Sequence, residues 1–301
     1  MGALVAVSCP LCGGSESEAV LVDRGRSPEI VPDAMACTSM DHGHFGRIGR
    51  CVGCGLMFRN PREDDETILS FYQKVEDELY LEHEEGRRDT FRRALDKLES
   101  VVGVRGSLLD VGCYTGAFLD VAHERGWEVA GVEPSHWAAE IAAQRGHLLY
   151  CRTLADAPFG DRIFDLVTMW DVIEHYPHPL DELRMARRLV RPGGYLALST
   201  MNVASAVARL LRGRWPWYMR MHLFYFTPQT IRSLLRAAGW EVVKIEPYVH
   251  MVTLGYLARK LETYCRPAGR ALGGLAARFR FDHRVVPIDL RDFMTVYAKR
   301  K

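Results

Sequence analysis

Four side chains in the second half of the chain combine two carboxylates with two imidazoles. Asp171, Glu174 and His175 are spaced so that one helical turn would put them on one face, and His222 lies farther along the chain. An imidazole with a pKa near ~6.5 suits removal of a proton at neutral pH. The same four groups also suit a Mg²⁺-like divalent cation. Three interpretations stay open: His175 or His222 as a general base, a cation site, or a structural role in which Glu174 and His175 orient the loop.

A strand and a helix position this group. Residues 164–170 form an apolar run of strand length that ends directly before Asp171. Residues 180–190 follow as a helical stretch, and residues 195–200 read as the next strand. Strands that alternate with helices predict a parallel sheet, whose ligands bind at the carboxyl ends of the strands. We therefore expect the group at a ligand-binding edge.

A glycine turn with an acidic residue downstream predicts a second functional feature. Residues 108–116 read Leu-Leu-Asp-Val-Gly-Cys-Tyr-Thr-Gly, and Asp110 ends the apolar run. Gly112 and Gly116 let a ligand approach the backbone, because glycine lacks a Cβ and tolerates positive φ. Glu133 ends the next strand, about 20 residues further on, where a carboxylate accepts both hydroxyls of a ribose. The Gly-x-Gly-x-x-Gly spacing of dinucleotide sites is absent.

The Asp110-x-Gly112 opening resembles the first motif of the class I S-adenosylmethionine-dependent methyltransferases. The Asp-x-x-Glu-His of residues 171–175 and the Arg-Pro-Gly-Gly of residues 191–194 are also typical of that family. The resemblance implies an α/β, Rossmann-like fold with a mostly parallel seven-stranded sheet and helices on both faces. Its last strand is expected to be antiparallel. S-adenosylmethionine is the implied cofactor. Tyr114 departs from the family, which often has glycine there.

The resemblance also implies which residues surround the cofactor. The glycine turn lies under its amino acid end, and Glu133 holds the ribose. Family members often place an aspartate on the adenine after the third strand, where this chain has Thr153 and Leu154. The expected cofactor-binding residues are Asp110, Gly112, Cys113, Tyr114, Gly116, Phe118, Glu133, Pro134, Thr153, Leu154 and Trp170.

The group around Glu174 resembles the site of metal-assisted O-methyltransferases of quinone biosynthesis and of small-RNA ends. Those enzymes use an acidic residue, x-x-Glu-His and a distant His. Here Asp171 stands where they have the first Glu, which is chemically tolerable. The resemblance therefore supports a divalent cation at these four residues and does not exclude a general base.

Two Cys-x-x-Cys pairs near the amino terminus predict a metal site. Cys9 and Cys12 form one pair, Cys51 and Cys54 the other, and each pair is followed by glycine. Four thiolates are enough for a closed tetrahedral zinc site, which argues for a structural ion. Many methyltransferases from sugar and natural-product pathways look like this, with a zinc ribbon, an Asn-Pro, a Tyr-rich helical link and then the core.

The motifs divide the chain into three parts. We expect a zinc-ribbon-like domain at 1–61, a helical linker at 62–99, and a methyltransferase core at 100–301 with insertions at 203–221 and 249–288. The first insertion carries arginines and tryptophans, which suit an anionic or sugar-like acceptor. The second is helical and basic; it is expected to pack on the acidic linker, and an oligomer contact is the alternative.

Composition narrows the class of protein. The chain has 301 residues, a formal net charge of +1 and 48% hydrophobic residues. The small net charge argues against a nucleic-acid partner, because long-range attraction to nucleic acid needs excess positive charge. The start resembles no signal peptide, and no stretch is long enough to span a bilayer, so we expect a cytoplasmic protein with reduced cysteines.

The predicted function is methyl transfer from S-adenosylmethionine to a small-molecule acceptor. O-methylation of a hydroxyl on a sugar or natural-product intermediate is favoured, because the acids and imidazoles suit hydroxyl groups. Three alternatives remain: C-methylation of a ketosugar, 2′-O-methylation of RNA, and a non-catalytic binding protein with a degenerate methyltransferase core.

Overall fold

A computed structural model of the protein describes residues 4–23, 35–39, 44–103, 105–160 and 163–301. Its amino-terminal part is a small antiparallel sheet built around the two cysteine pairs. The strands of this part are β1 (Leu4–Val5), β2 (Ser17–Val22), β3 (Arg47–Cys51), β4 (Met57–Arg59) and β5 (Arg62–Glu63). β1 pairs with β5, and β3 pairs with both β2 and β4.

Three helices link this part to the rest of the chain. They are α1 (Asp65–Gln73), α2 (Glu78–Glu82) and α3 (Glu84–Val102). Asp64 and Asp77 begin the first two, because each carboxylate accepts a backbone N–H of the first turn. Gly103 ends α3 in the left-handed conformation that favours glycine.

The core alternates strands and helices, as the sequence predicts. Its elements are β6 (Ser107–Val111), α4 (Ala117–Glu124), β7 (Glu128–Val132), α5 (His136–Gln144), β8 (Leu148–Tyr150), β9 (Phe164–Trp170), α6 (Pro179–Leu189), β10 (Val190–Met201), α7 (Ala206–Leu211), β11 (Phe224–Tyr225), α8 (Pro228–Ala237), β12 (Trp240–Pro247), β13 (His250–Thr253), α9 (Leu254–Tyr264), α10 (Arg266–Arg278), β14 (Val285–Ile288) and β15 (Phe293–Arg300).

Seven of these strands form one sheet in the order β12-β15-β10-β9-β6-β7-β8. The five strands from β10 to β8 are parallel, and β15 lies antiparallel between β10 and β12. Buried apolar side chains cover both faces: Leu109 and Val111 point into one core, and Leu108 points into the other. The predicted α/β fold with a mostly parallel seven-stranded sheet is confirmed.

The amino-terminal sheet takes a strand from the core. β11 pairs antiparallel with β4, so that Phe224 lies opposite Phe58 and Tyr225 opposite Met57. Arg220 reaches the same part of the molecule, because its guanidinium pairs with buried Glu63 at 3.0 Å. Backbone hydrogen bonds therefore join the part at 1–61 to β11, and the ion pair joins the 203–221 insertion to β5.

The second insertion packs on the linker helices, which agrees with the predicted contact. Its strands β13 and β14 pair, and the helices α9 and α10 lie between them. The backbone N–H of Met251 donates to Thr90 Oγ1 of α3 at 2.7 Å. An added Cβ at Gly86 would lie 2.9 Å from the carbonyl oxygen of Met251, so this close approach requires glycine. Within the described ranges, no helix combines the length and apolarity needed to cross a membrane.

Candidate active site

A cavity of about 660 Å³ lies at the carboxyl ends of β6, β7 and β9. Residues of the linker helices and of both insertions also line it. It has the size and position expected of a ligand site in an open parallel sheet. Six polar atoms on residues of its wall are buried and have no hydrogen-bond partner within the described residues. They are His83 Nε2, Arg87 Nε, Trp170 Nε1, Glu174 Oε1, Glu182 Oε2 and His250 Nε2.

The glycine turn after β6 forms one wall. Gly112 has a φ of 70°, and an added Cβ would lie 2.7 Å from a methyl group of Val172, so the turn requires glycine here. Tyr114 also has a positive φ, at 49°. Its ring packs against Tyr80 of α2 at a centroid distance of 4.5 Å. The departure from the family is thereby explained: the Tyr114 side chain reaches the linker and covers the turn.

Glu133 is buried beside this turn at the end of β7. Its two carboxylate oxygens accept backbone N–H groups from Ser135 at 2.8 Å and from Tyr114 at 2.9 Å. Burial raises the pKa of Glu133 to about 7, while these two hydrogen bonds lower it. Each oxygen keeps acceptor capacity for a ligand hydroxyl. Asp110 is buried at the end of β6, where it accepts the Thr168 hydroxyl at 2.6 Å.

Nine of the eleven expected cofactor-binding residues line the cavity. They are Asp110, Gly112, Cys113, Tyr114, Phe118, Glu133, Pro134, Thr153 and Trp170. Gly116 and Leu154 do not line it. Gly116 begins α4, and an added Cβ there would lie 3.1 Å from Ala142 of α5, so this glycine serves helix packing. Leu154 is buried in the apolar core, where its side chain is removed from water.

Three of the four expected catalytic residues form a tight group. Glu174, His175 and His222 each offer one ligand atom, and these atoms all lie within 4.8 Å of one another. Glu174 accepts the Thr200 hydroxyl at 3.0 Å through Oε2, and its buried Oε1 has no partner among the described residues. A carboxylate and two imidazoles at this spacing suit a divalent cation.

Backbone carbonyls set the tautomers of both imidazoles. His175 Nδ1 lies 3.1 Å from the carbonyl oxygen of Met221, and His222 Nδ1 lies 2.7 Å from that of Trp217. A carbonyl only accepts, so these two contacts favour a proton on Nδ1 of each ring. Tyr72 of α1 adds a hydroxyl 2.7 Å from His175 Nδ1. The linker therefore contributes directly to the orientation of His175.

Burial favours the uncharged forms of Glu174 and His175. It lowers the pKa of His175 to about 4 and raises the pKa of Glu174 to about 8, with the nearby Asp171 adding to the second effect. A cation bound to the three residues would reverse the shift of Glu174, because opposite charge favours the carboxylate.

Asp171 lies apart from the group of three. It has a φ of 54°, and its Oδ1 accepts the Ser199 hydroxyl at 2.6 Å. The imidazole that acts on the charge of its side chain belongs to His250, on β13. The turn after β9 is not a regular helix, so the expected shared face of residues 171, 174 and 175 does not form. Asp171 and Glu174 therefore serve different parts of the cavity.

The four cysteines of the two pairs meet as the spacing predicts. Their sulfur atoms all lie within 4.8 Å of one another, and Cys9 to Cys54 measures 3.5 Å. Both pairs form the same turn: Gly13 donates to the carbonyl of Cys9, and Gly55 to that of Cys51. This donor set fits a tetrahedral zinc ion.

Two residues of the cavity were missed by the sequence reasoning. Arg87 of α3 places its guanidinium 3.9 Å from the centroid of Tyr80 and forms no ion pair within the described residues. His250 lies on β13, inside an insertion that the sequence assigned to packing. Neither residue belongs to a motif with fixed spacing, so no local signal marked them.

Residues 83–245 match the family described as methyltransferase domain. The chain belongs to that family. Together with the cavity beside the glycine turn, this shows an S-adenosylmethionine-dependent methyltransferase of class I. A non-catalytic role for a degenerate core is not supported, since this match agrees with the intact Asp110, Gly112 and Glu133.

Relatives of this methyltransferase act on different atoms. The sarcosine/dimethylglycine N-methyltransferase of Halorhodospira halochloris is 29% identical over 217 residues, which cover 67% of this chain and 76% of that protein. The ubiquinone biosynthesis O-methyltransferase of Ruegeria pomeroyi is 33% identical over 178 residues, or 53% of this chain and 68% of that protein. A chain from the solved complex of the Haloferax volcanii Trm112 methyltransferase activator with a methyltransferase has the same fold. It has a TM-score of 0.50 and 15% identity, and the match covers 72% of this chain and 92% of that chain.

Proposed function

We propose that this methyltransferase methylates a hydroxyl oxygen of a small-molecule acceptor, such as a sugar or natural-product intermediate. The observation that carries the proposal is the group of Glu174, His175 and His222, with one carboxylate oxygen buried and unpartnered at the cavity wall. A site that leaves such an atom unpartnered loses about 1–3 kcal/mol unless a ligand satisfies it. A cation, or a hydroxyl held next to it, does so.

The residues around the glycine turn would hold the cofactor. Glu133 suits the ribose hydroxyls, and the backbone of Gly112 permits close approach. Arg87 lies against Tyr80, which packs on Tyr114 of the turn, so its guanidinium suits the carboxylate of the cofactor's amino acid end. S-adenosylmethionine, when bound, supplies the methyl group. The protein aligns the acceptor oxygen with it and excludes water.

We assign a divalent cation to Glu174, His175 and His222. One carboxylate and two imidazoles are a mixed oxygen and nitrogen set, which suits Zn²⁺, Mn²⁺ or Fe²⁺ better than Mg²⁺. These residues would hold the ion so that it orients the acceptor hydroxyl and lowers its pKa. A second, structural Zn²⁺ is proposed at Cys9, Cys12, Cys51 and Cys54. The three-part division of the chain at residues 61 and 99 stays part of this proposal.

Three linked measurements test the function. The first is a calorimetric titration with S-adenosylhomocysteine, where one-to-one binding is expected. The second follows transfer of a labelled methyl group to a panel of hydroxylated sugars and aromatic alcohols, with and without chelator. The third determines bound metal by mass spectrometry in the wild type and in Glu174→Gln.

Transfer to hydroxyl oxygen, with loss of one metal equivalent in Glu174→Gln, would support both assignments. Methylation of amines or carbon only would overturn O-methylation. Full activity after chelation, with no metal difference between the two proteins, would overturn the cation.

A further inference from the structure

We infer that His250 is the proton-accepting residue of the acceptor subsite, and that this subsite takes a flat hydroxylated ring. The inference rests on the proposed O-methylation and names its acceptor class. Asp171 acts with His250 as a positioning residue. Proton removal is thereby assigned to a residue outside the group of Glu174, His175 and His222.

The second insertion delivers His250 to the cavity. β13 begins at His250, and its side chain lines the cavity wall. Three aromatic rings surround the imidazole: Phe293 at 4.6 Å, Tyr248 at 4.9 Å and Trp217 at 6.5 Å between centroids. Its Nε2 is buried and has no hydrogen-bond partner among the described residues. A buried imidazole nitrogen in a cavity normally has a partner, and here a ligand is the missing one.

The charges around His250 suit a group that receives a proton. Asp171 and Asp292 act on it as carboxylates, and Arg87 is the cation that acts on it. Burial holds the pKa of His250 below its ordinary value, Asp171 and Asp292 raise it, and Arg87 lowers it. The ring is therefore neutral at pH 7, and the two carboxylates stabilise the imidazolium once the proton arrives.

The other imidazoles are less suited to this step. His175 Nδ1 is held by Tyr72 and by a backbone carbonyl, and its pKa falls to about 4. No carboxylate contributes to raising that pKa, in contrast to His250. His222 shares its site with His175 and Glu174, where the three together suit a cation. Unlike His175, His250 feels the charge of two carboxylates, those of Asp171 and Asp292.

A continuous aromatic wall leads from the cofactor side of the cavity to His250. Phe118 packs on Trp170 at 5.2 Å, and Trp170 stacks on Tyr248 at 5.8 Å with an interplanar angle of 14°. Tyr248 then meets the edge of His250. Flat rings gain from packing on such surfaces through face and edge contacts. A planar acceptor lying along this wall brings its hydroxyl to the imidazole.

The step conserves atoms and charge. The acceptor O–H bond breaks, and the proton goes to a ring nitrogen of His250. The oxygen forms a bond to the methyl carbon while the bond from that carbon to the cofactor sulfur breaks. The sulfur keeps the electron pair, so a sulfonium and a neutral imidazole become a thioether and an imidazolium. Solvent removes the proton after the product leaves.

The test uses catechol (1,2-dihydroxybenzene) as probe and cyclohexane-1,2-diol as the non-aromatic control. Calorimetry with the full-length protein loaded with S-adenosylhomocysteine is expected to show binding of catechol and at least ~10-fold weaker binding of the diol. Binding of the diol as tight as catechol, or no binding of catechol, would overturn the flat-ring subsite.

The variant is His250→Gln, and the matched control is His136→Gln, an exposed imidazole outside the cavity. His250→Gln is expected to keep its affinity for S-adenosylhomocysteine and to lose roughly 100-fold or more in methyl transfer to catechol, the scale of general-base catalysis. The acidic limb of the pH–rate profile is expected to disappear with it. A rate within threefold of wild type, with the limb intact, would overturn the proton acceptor.

A measurement that needs no acceptor distinguishes loss of the proton acceptor from misfolding of the variant. NMR titration of the His250 ring in the wild type and in Asp171→Asn should show a lower pKa in the variant, since a negative charge is removed. An unchanged pKa would remove Asp171 from the pair. Failure of the proposed function looks different: neither S-adenosylhomocysteine binding nor methyl transfer to any hydroxyl would be seen.

Discussion

Phe224 lies opposite Phe58 in the antiparallel pair of β11 and β4, two residues after His222. The backbone N–H of Arg59 also donates to the carbonyl of Leu223 at 2.9 Å. The strand that follows His222 is thus an edge strand of the sheet that holds the cysteine pairs. The sheet of β2, β3, β4 and β11 therefore supports the cavity, because its backbone hydrogen bonds hold the segment that follows His222.

Loss of the cysteine site is expected to loosen this segment. Cys51→Ser removes one of four thiolates, and the sheet of β2, β3, β4 and β11 loses its cross-link. Hydrogen exchange at residues 222–226 should become at least ~10-fold faster, because local opening costs less free energy. Affinity for S-adenosylhomocysteine should stay near wild type. Cys265→Ser, an exposed cysteine away from the pairs, is the control. Unchanged exchange in Cys51→Ser would contradict the support role.

Replacement of Glu133 is expected to weaken cofactor binding. Glu133→Ala removes a buried acceptor of ligand hydroxyls, at a cost of roughly 1–3 kcal/mol in the binding free energy of S-adenosylhomocysteine. Calorimetry measures the change, and circular dichroism reports whether the fold persists. Affinity equal to wild type would take Glu133 out of the ribose contact.

Cofactor affinity is also expected to depend on pH through the same carboxyl. Burial raises the Glu133 pKa to about 7, and the ionised form is the better acceptor for ribose hydroxyls. Affinity should therefore be highest above pH 7 and should fall as the pH drops below about 7, where the carboxyl takes up a proton. The isosteric Glu133→Gln should bind more weakly and show a flatter profile. If the wild-type affinity for S-adenosylhomocysteine did not change between pH 6 and 8, the assignment of Glu133 to the ribose would be contradicted. The reason is that ionisation of Glu133 and cofactor binding are expected to be linked.

Changes in the group of three should slow turnover without releasing the cofactor. His175→Ala and His222→Ala each remove a nitrogen donor from the site beside Glu174. We expect at least ~10-fold slower methyl transfer on an accepted hydroxyl substrate and S-adenosylhomocysteine affinity within about twofold of wild type. Normal turnover in both variants would refute a catalytic role for the group.

Asp292 is expected to anchor the first insertion. Its Oδ2 accepts the indole N–H groups of Trp215 at 3.1 Å and Trp217 at 3.0 Å, and the carboxylate is buried at the start of β15. Asp292→Ala leaves two indole donors without their acceptor, which should lower the free energy of unfolding by about 1–3 kcal/mol. Denaturant unfolding followed by tryptophan fluorescence measures it. An unfolding free energy equal to wild type would show that the insertion is held by packing alone.

For the first insertion, the sequence did not predict which side chains face the cavity. The arginines and tryptophans of 203–221 suggested an acceptor-binding surface, yet Arg220 pairs with buried Glu63, and Trp215 is buried on Asp292. Composition reports which groups are available, but long-range partners decide whether they face a ligand. Trp217 lines the cavity as well as binding Asp292, so one of these residues serves both purposes.

Local signals were sufficient for the elements and for the edge of the sheet at which the cavity lies. The apolar run of residues 164–170 placed β9, and the Gly112 turn with Glu133 identified the edge of the sheet at which the cavity lies. Each of these features depends on residues that are close together in the sequence. A pattern of neighbouring residues is therefore enough to predict it.

The sequence by itself determined the fold class, the edge of the sheet at which the cavity lies and the meeting of the four cysteines, because fixed spacings and strand–helix alternation carry that information. Only the tertiary structure decided that Asp171 leaves the group of Glu174 and His175, that Arg87 and His250 line the same cavity, and that β11 closes the cysteine sheet. These relationships join residues far apart in the chain. They depend on how the linker and the insertions pack over the sheet, and that packing has no signature at any single position.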